Sequence, residues 1–301
     1  MIAGLFPGQG SHSLGMARDF YEHSAAAKAV LDRAETALPG LLKMMWDGPE
    51  DLLTLTANQQ PALVAAGAAA FAAYREAGGT LPSYAAGHSL GEFTAHVAAG
   101  TLRLEDAIIL VQKRGTYMQE AVPEGVGAMA AILKSSRDAI DQVCQQTDGL
   151  VELANLNSPA QTVISGEAAA VKAASEALQA DGARVVPLNV SAPFHCALMK
   201  PAALRLASDL AEVRFNKPSF DIVCNVTARV LASPEDAADL LERQVTAPVR
   251  WVESVQQLRA LGVTRFIEFG SGKVLTGLVG RILDKPEAHA VTDTASLGSV
   301  L

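Results

Sequence analysis

The chain has 301 residues, 50% of them hydrophobic, a formal net charge of -8 and three cysteines. That length and apolar content suffice for a large core and exceed the needs of one simple domain. The acidic balance argues against nucleic acid as the main partner, no apolar run is long enough to span a bilayer, and Cys144, Cys196 and Cys224 are too scattered for a disulfide framework or a zinc site. The N-terminus lacks a basic stretch followed by an apolar one, so a cytoplasmic location is expected.

Ile2-Ala3-Gly4-Leu5-Phe6 reads as a buried strand that breaks at Pro7-Gly8-Gln9-Gly10-Ser11. Ala27, Leu31, Ala34 and Leu38 recur at helical spacing and predict one helix over 16–38. Asn58 is the expected N-cap of a second, over 59–77, which is apolar nearly all round and therefore buried, with Gly78-Gly79 as its stop. After Pro82-Ser83 comes a short strand over 84–86, then Gly87-His88-Ser89-Leu90-Gly91-Glu92, then a helix over 92–99 closed by Gly100. Strand, G-x-S-x-G and helix together describe a nucleophile elbow, which lifts a serine hydroxyl into the open above a helix N-terminus.

The next helix, over 104–121, carries one residue out of place. Arg114 shares a stripe with Ala107, Leu110, Val111, Tyr117, Met118 and Ala121, whereas its neighbour Lys113 lies with Asp106, Thr116 and Glu120. A guanidinium in an apolar stripe needs an anion, an internal ion pair, or a route to the edge.

Beyond a linker at 123–127 the pattern changes. Strands over 128–133, 151–156, 161–165 and 184–190 alternate with helices over 137–146 and 168–180, around a turn at Asn157-Ser158-Pro159. This β-α-β-β-α-β order is a ferredoxin-like unit, placing a small subdomain at 126–190 inside a larger α/β core formed by 1–125 and 191–301. The core resumes at Ser191-Ala192-Pro193-Phe194-His195-Cys196. A helix marked by Met199, Ala203, Leu206, Leu210 and Val213 follows, then a strand over 221–226 and a helix opened by Ser233-Pro234 that runs to 245. The chain continues with a helix over 250–261 closed by Gly262, a strand over 265–269, the loop Gly270-Ser271-Gly272-Lys273, and a helix to 283. Strand, glycine loop and helix thus recur at Gln9, Ser89 and Gly270. In a mostly parallel, hydrolase-like sheet the three loops are expected to converge on one crevice at the strands' carboxyl ends.

A serine nucleophile needs a general base. Of six histidines, His12, His23 and His289 have no catalytic context, His88 is the variable position of the elbow, and His96 lies on the elbow helix. His195 follows a proline turn at the domain re-entry and is the candidate by position, a structural histidine being the alternative. No histidine pair has zincin spacing, so no metal is expected. Gly270-Ser271-Gly272-Lys273 lacks P-loop spacing, and Cys196, on no elbow, is taken as packing.

The motifs Phe6-Pro7-Gly8-Gln9-Gly10-Ser11, Gly87-His88-Ser89-Leu90-Gly91-Glu92, Arg114-Gly115 with Met118-Gln119, Asn155-Leu156-Asn157-Ser158-Pro159, Ala192-Pro193-Phe194-His195, Gln244 with Pro248-Val249-Arg250-Trp251, and Gly272-Lys273-Val274-Leu275-Thr276-Gly277-Leu278 stand in this order. Together they resemble the malonyl-CoA:acyl carrier protein transacylases of bacterial fatty acid synthesis, over nearly the whole chain. The resemblance implies that Ser89 is acylated, that His195 is its base, and that Gln9 and the Leu90 amide form the oxyanion hole. It also implies that Arg114 grips the malonate carboxylate, that the Gln244 carbonyl orients His195 in place of an acid, and that Phe194 disfavours a branch at malonyl C2. The partners implied are malonyl-CoA and the phosphopantetheine thiol of an acyl carrier protein, with no cofactor; a monomer is expected. His12 stands where the family often has glutamine, and Ser271 where it usually has proline. A trans-acting acyltransferase of a polyketide synthase would carry the same residues; a serine esterase or thioesterase would share the elbow but have no use for Arg114.

Overall fold

The computed structural model describes residues 1–190 and 192–301. In chain order the elements are β1 (Ile2–Phe6), α1 (Arg18–His23), α2 (Ala25–Ala37), α3 (Leu41–Asp47), α4 (Glu50–Thr54), α5 (Thr56–Glu76), β2 (Tyr84–Gly87), α6 (Gly91–Ala98) and α7 (Leu104–Glu120). Then come β3 (Gly127–Leu133), α8 (Arg137–Gln146), β4 (Val151–Ser158), β5 (Gln161–Glu167), α9 (Ala168–Ala180) and β6 (Arg184–Pro187). The last third holds α10 (Lys200–Ala211), β7 (Asp221–Val223), α11 (Ala237–Arg243), α12 (Trp251–Ala260), β8 (Arg265–Phe269), α13 (Val274–Ile282), β9 (Glu287–Val291) and α14 (Thr294–Gly298).

Five strands form one sheet in the order β7-β2-β1-β8-β9, and all four of its pairings are parallel. Parallel neighbours need helical crossovers that cover both faces, which is why β1 reads as an unbroken apolar run and β8 buries Phe266, Ile267 and Phe269. One face packs on α5, whose alanines admit α2 and α7 closely; the other packs on α12 and α13 through Trp251, Val255, Leu275 and Val279. The remaining four strands make an antiparallel sheet in the order β4-β5-β3-β6. Alternation along β3 settles its two faces. Ala130 and Ile132 pack with Ile140, Val171 and Leu178 under α8 and α9, whereas Met129 and Ala131 join the main core. The fold is therefore the expected parallel hydrolase-like core with a ferredoxin-like subdomain. The two are stitched by Leu156 N–H to Val249 O and Val249 N–H to Ala154 O, each 2.9 Å.

Several local expectations are corrected. The helix predicted over 16–38 is two helices, because Ser24 is extended (φ -131°, ψ 119°) and its hydroxyl caps Ala27 N–H. A serine that can bond its own downstream backbone competes with helix continuation, and here it wins. Asn58 is not an N-cap: α5 starts at Thr56, and Asn58 donates instead to Leu52 O at 2.8 Å. The strands expected over 184–190 and 221–226 stop at Pro187 and Val223. Helices α3, α4 and α14 and the edge strand β9, each of only five to seven residues, are elements that the sequence reading did not assign. Ser191, the expected start of the returning core, lies outside the described residues.

His96 on α6 is fully buried, neither ring nitrogen has a partner among the described residues, and burial lowers its pKa to about 4. In the unfolded chain it titrates near 6.5, so the unfolded state binds the extra proton as pH falls. Stability from this group is fully present above pH 6.5 and is lost as pH drops through about 4. His96→Leu is therefore expected to shrink the stability difference between pH 7 and pH 5, measured by urea denaturation, by roughly 2 kcal/mol. An unchanged difference would show that other groups set the acid sensitivity.

Candidate active site

The elbow is built by exclusion of side chains. A Cβ on Gly87 would stand 1.9 Å from the Gly91 backbone, and one on Gly91 would stand 1.9 Å from Phe6 O. Only glycine at both positions lets the turn press against β1 while Ser89 takes a left-handed conformation (φ 50°). The turn is clamped from the end of the neighbouring strand. Asn225 Oδ1 accepts the Ser89 N–H at 2.7 Å, and its Nδ2 donates to Gly87 O at 2.6 Å. The N–H groups of Gly91, Glu92 and Phe93 bond back to His88, Ser89 and Leu90 carbonyls; the Leu90 N–H is not among the donors of that turn.

His195 Nε2 lies 2.8 Å from Ser89 Oγ. Its Nδ1 faces two carbonyls, Gln244 O at 2.9 Å and Ala247 O at 3.2 Å. Carbonyls only accept, so Nδ1 carries the proton and Nε2 is left as the base toward the serine. Burial, reinforced by the Arg114 charge, lowers the His195 pKa to about 3, which keeps the ring neutral. Of the two roles open to His195 in the sequence, base or structural histidine, the geometry puts it on Ser89, while His96 is sealed in the core and His88 bonds Asn157 Oδ1 of the small sheet at 2.8 Å.

Arg114 is 1% exposed and reaches the same serine, its Nη2 donating to Ser89 Oγ at 3.1 Å. Two side-chain amides hold it: Gln60 Oε1 accepts from Nη1 at 2.8 Å, and Gln244 Oε1 accepts from Nη2 at 3.1 Å. Burial lowers its pKa to about 10, still far above neutrality, so the guanidinium stays charged. Gln244 thus serves twice, with its carbonyl on His195 and its side chain on Arg114. Gln60, Asn225 and Glu92 were given no role by sequence reasoning. For Gln60 a signal existed, since Asn58-Gln59-Gln60 opens an otherwise apolar helix; for Asn225, following a three-residue strand, none did.

Ser89 and His195 open into a crevice of about 490 Å³ that Gln9, His12, Phe194, Asn155, Met129 and Leu188 also line. The Gln9 side chain donates to Thr56 Oγ1 at 3.3 Å and accepts from Gln60 Nε2 at 3.5 Å. His12 bonds Thr54 Oγ1 at the mouth. The expectation of three converging loops holds for two of them. The Gly270 loop lines a separate cavity and buttresses the first loop from behind, with Ser271 Oγ 3.0 Å from Ser13 Oγ. Cys196 is buried with its thiol on Pro193 O, consistent with packing. Among the described residues no cluster of three or more histidine, cysteine or acidic side chains is placed to hold a metal, and no helix is long and apolar enough to cross a membrane.

Residues 5–300 match the family described as acyl transferase domain. The chain is 46% identical to the malonyl CoA-acyl carrier protein transacylase of Bacillus subtilis strain 168, over 98% of this chain and 95% of that one. It is 43% identical to the protein of the same name from Escherichia coli K12, over 100% and 98%. Among solved structures it resembles an acyl carrier protein S-malonyltransferase from Vibrio cholerae (TM-score 0.97, 45% identity, covering 100% and 99%). It is equally similar to a malonyl-transacylase solved in complex with the acyl-carrier protein of a type II polyketide synthase (TM-score 0.96, 45% identity, covering 100% and 98%). A serine, a neutral histidine and a buried arginine on one elbow, in a chain this similar to those proteins from end to end, place it in the acyl transferase family, among the malonyl CoA-acyl carrier protein transacylases.

Proposed function

We propose that the protein transfers the malonyl group of malonyl-CoA to the phosphopantetheine thiol of an acyl carrier protein, through an ester on Ser89, to supply fatty acid chain elongation. The observation that carries this reading is Arg114 Nη2 at 3.1 Å from Ser89 Oγ: a desolvated cation beside a nucleophile suits an acyl group with a free carboxylate at its far end. Ser89 Oγ attacks the thioester carbonyl as its proton passes to His195 Nε2. The tetrahedral oxyanion is received by the Leu90 N–H and Gln9, and CoA leaves as a thiol by taking the proton from His195. The carrier thiol then repeats the sequence in reverse roles, a ping-pong scheme that uses no cofactor. Phe194 at the crevice wall narrows the space beside malonyl C2. The enzyme is taken to act as a cytoplasmic monomer. A trans-acting role in polyketide synthesis is the second reading, favoured by the likeness to the complex with a polyketide carrier. A serine esterase has no use for the guanidinium.

The test is intact mass after mixing with malonyl-CoA and no acceptor. A malonyl increment on the peptide carrying Ser89 is expected, and with phosphopantetheinylated carrier protein present transfer should greatly outrun release of free malonate. Comparable rates would support the esterase instead. Comparing fatty acid and polyketide carrier proteins as acceptors separates the two transferase readings.

A further inference from the structure

Glu92 opens α6 directly beneath the elbow, is 1% exposed, and takes no part in the scheme above. Its Oε2 accepts from Gln244 Nε2 at 2.6 Å and from the Asn225 N–H at 3.0 Å. The other end of the same Gln244 amide, Oε1, receives Arg114 Nη2. One side-chain amide therefore bridges a buried carboxylate to the buried guanidinium that faces the serine. The charged or titratable groups acting on Glu92 are Arg114 from α7 and the Cys224 thiol from the segment after β7; Asn225 and Gln244 are neutral. Burial pushes the Glu92 carboxyl up to about 7, and its hydrogen bonds and Arg114 hold it from rising further. Near neutral pH its two protonation states are close in energy.

We propose that Glu92 is a positioning residue that takes up a proton when a substrate carboxylate pairs with Arg114. The proposal rests on Arg114 being the carboxylate clamp. In the free enzyme with Glu92 ionised, one carboxylate balances one guanidinium. A malonyl carboxylate would leave two anions against one cation in a dry site, and a buried uncompensated charge is costly. One proton moving from solvent to a Glu92 oxygen restores the balance; only that O–H bond forms, and it breaks again when the malonyl group departs. The protonated acid keeps an acceptor oxygen for Gln244 Nε2 and Asn225 N–H, so the elbow and the Gln244 carbonyl under His195 stay in place. Substrates without a carboxylate, such as acetyl-CoA, do not call for the proton.

The experiment measures proton uptake on acylation, by calorimetry in buffers of different ionisation enthalpy at pH 7, with intact mass recorded on the same samples. Wild type is expected to take up about half a proton per malonyl ester formed, the ionised share of a group titrating near 7. Acetyl-CoA should give none, and Glu92→Gln, which keeps an acceptor oxygen at the same place, should give none with malonyl-CoA. In wild type kcat/KM for malonyl-CoA should also decline above pH 7, by up to about tenfold per pH unit, with no such limb in Glu92→Gln. A full malonyl increment without proton uptake, or with equal uptake in Glu92→Gln, would overturn this proposal alone. Equal uptake by wild type with acetyl-CoA would overturn it without recourse to any variant. Absence of the malonyl increment would instead remove the transferase reading on which it stands.

Discussion

Ser89→Ala is expected to acquire no malonyl mass, and His195→Ala to acquire it roughly 10⁴–10⁶ times more slowly than wild type, the loss typical of disabling a serine–histidine unit. The alanine at 89 removes only the hydroxyl; Asn225 still holds the residue's N–H, and both glycines of the elbow remain, so circular dichroism and thermal unfolding should change little. At 195 the alanine leaves the Gln244 and Ala247 carbonyls without their donor, but the imidazole it removes lines the crevice, so water can enter the space vacated. Because His195 is held neutral down to about pH 3, wild-type acylation should show no acid limb near 6.5. Rapid acylation of the His195 variant would move the base elsewhere. A malonyl increment on the Ser89 variant would remove the elbow from the chemistry altogether.

Arg114→Ala is expected to lower kcat/KM for malonyl-CoA by roughly 2–5 kcal/mol, the range for truncating one partner of a buried charge pair. With acetyl-CoA, which has no carboxylate, the loss should be much smaller, so the ratio of the two substrates carries the result. The variant also strips donors from Gln60 Oε1 and Gln244 Oε1, and two unsatisfied buried acceptors destabilise by about 1–3 kcal/mol each unless water reaches them. That penalty falls on both substrates alike and cancels in the ratio. Arg114→Lys should rescue little, since an ammonium cannot serve two amides and a carboxylate in the planar fork that guanidinium offers. Equal losses with both thioesters would make Arg114 a structural residue.

The elements whose pattern is set locally were legible in the sequence: the elbow from its two glycines, the ferredoxin-like unit from alternating strands and helices, and the anomaly of Arg114 from its apolar neighbours. Where the structure departs, tertiary context decided. Ser24 broke a helix that its neighbours' periodicity supported, and the Gly270 loop, similar in pattern to two site loops, lines a different cavity together with Ser13. The supports of the site were the least legible. The side chains of Asn225 and Gln244 stand 136 and 130 positions from Ser89 and Arg114, and a neutral amide so far away has no spacing that marks its side-chain role; for Gln60 the one signal was a polar start to an otherwise apolar helix. The comparisons bear out the family that the ordered motifs suggested.

The strand order has a consequence for how the protein is made. The elbow strand β2 and the first strand β1 emerge early, but β1 lies between β2 and β8, and the base of Ser89 stands 106 residues further along the chain. Ribosomes add about 5–20 residues per second. For on the order of ten seconds or more the nascent polypeptide therefore holds a serine turn without its histidine, its Gln244 or the sheet edge that β8 will cover. Ser89 gains its base only after position 195 and its full sheet only after β8, so a product interrupted before residue 195 carries the elbow sequence without the histidine. The same delay leaves β1 with one unpaired edge throughout, and parallel pairing across such separations is slow to form. Late closure thus withholds the base from a truncated product and leaves β1 with an unpaired edge, a template for pairing with other chains, until β8 arrives.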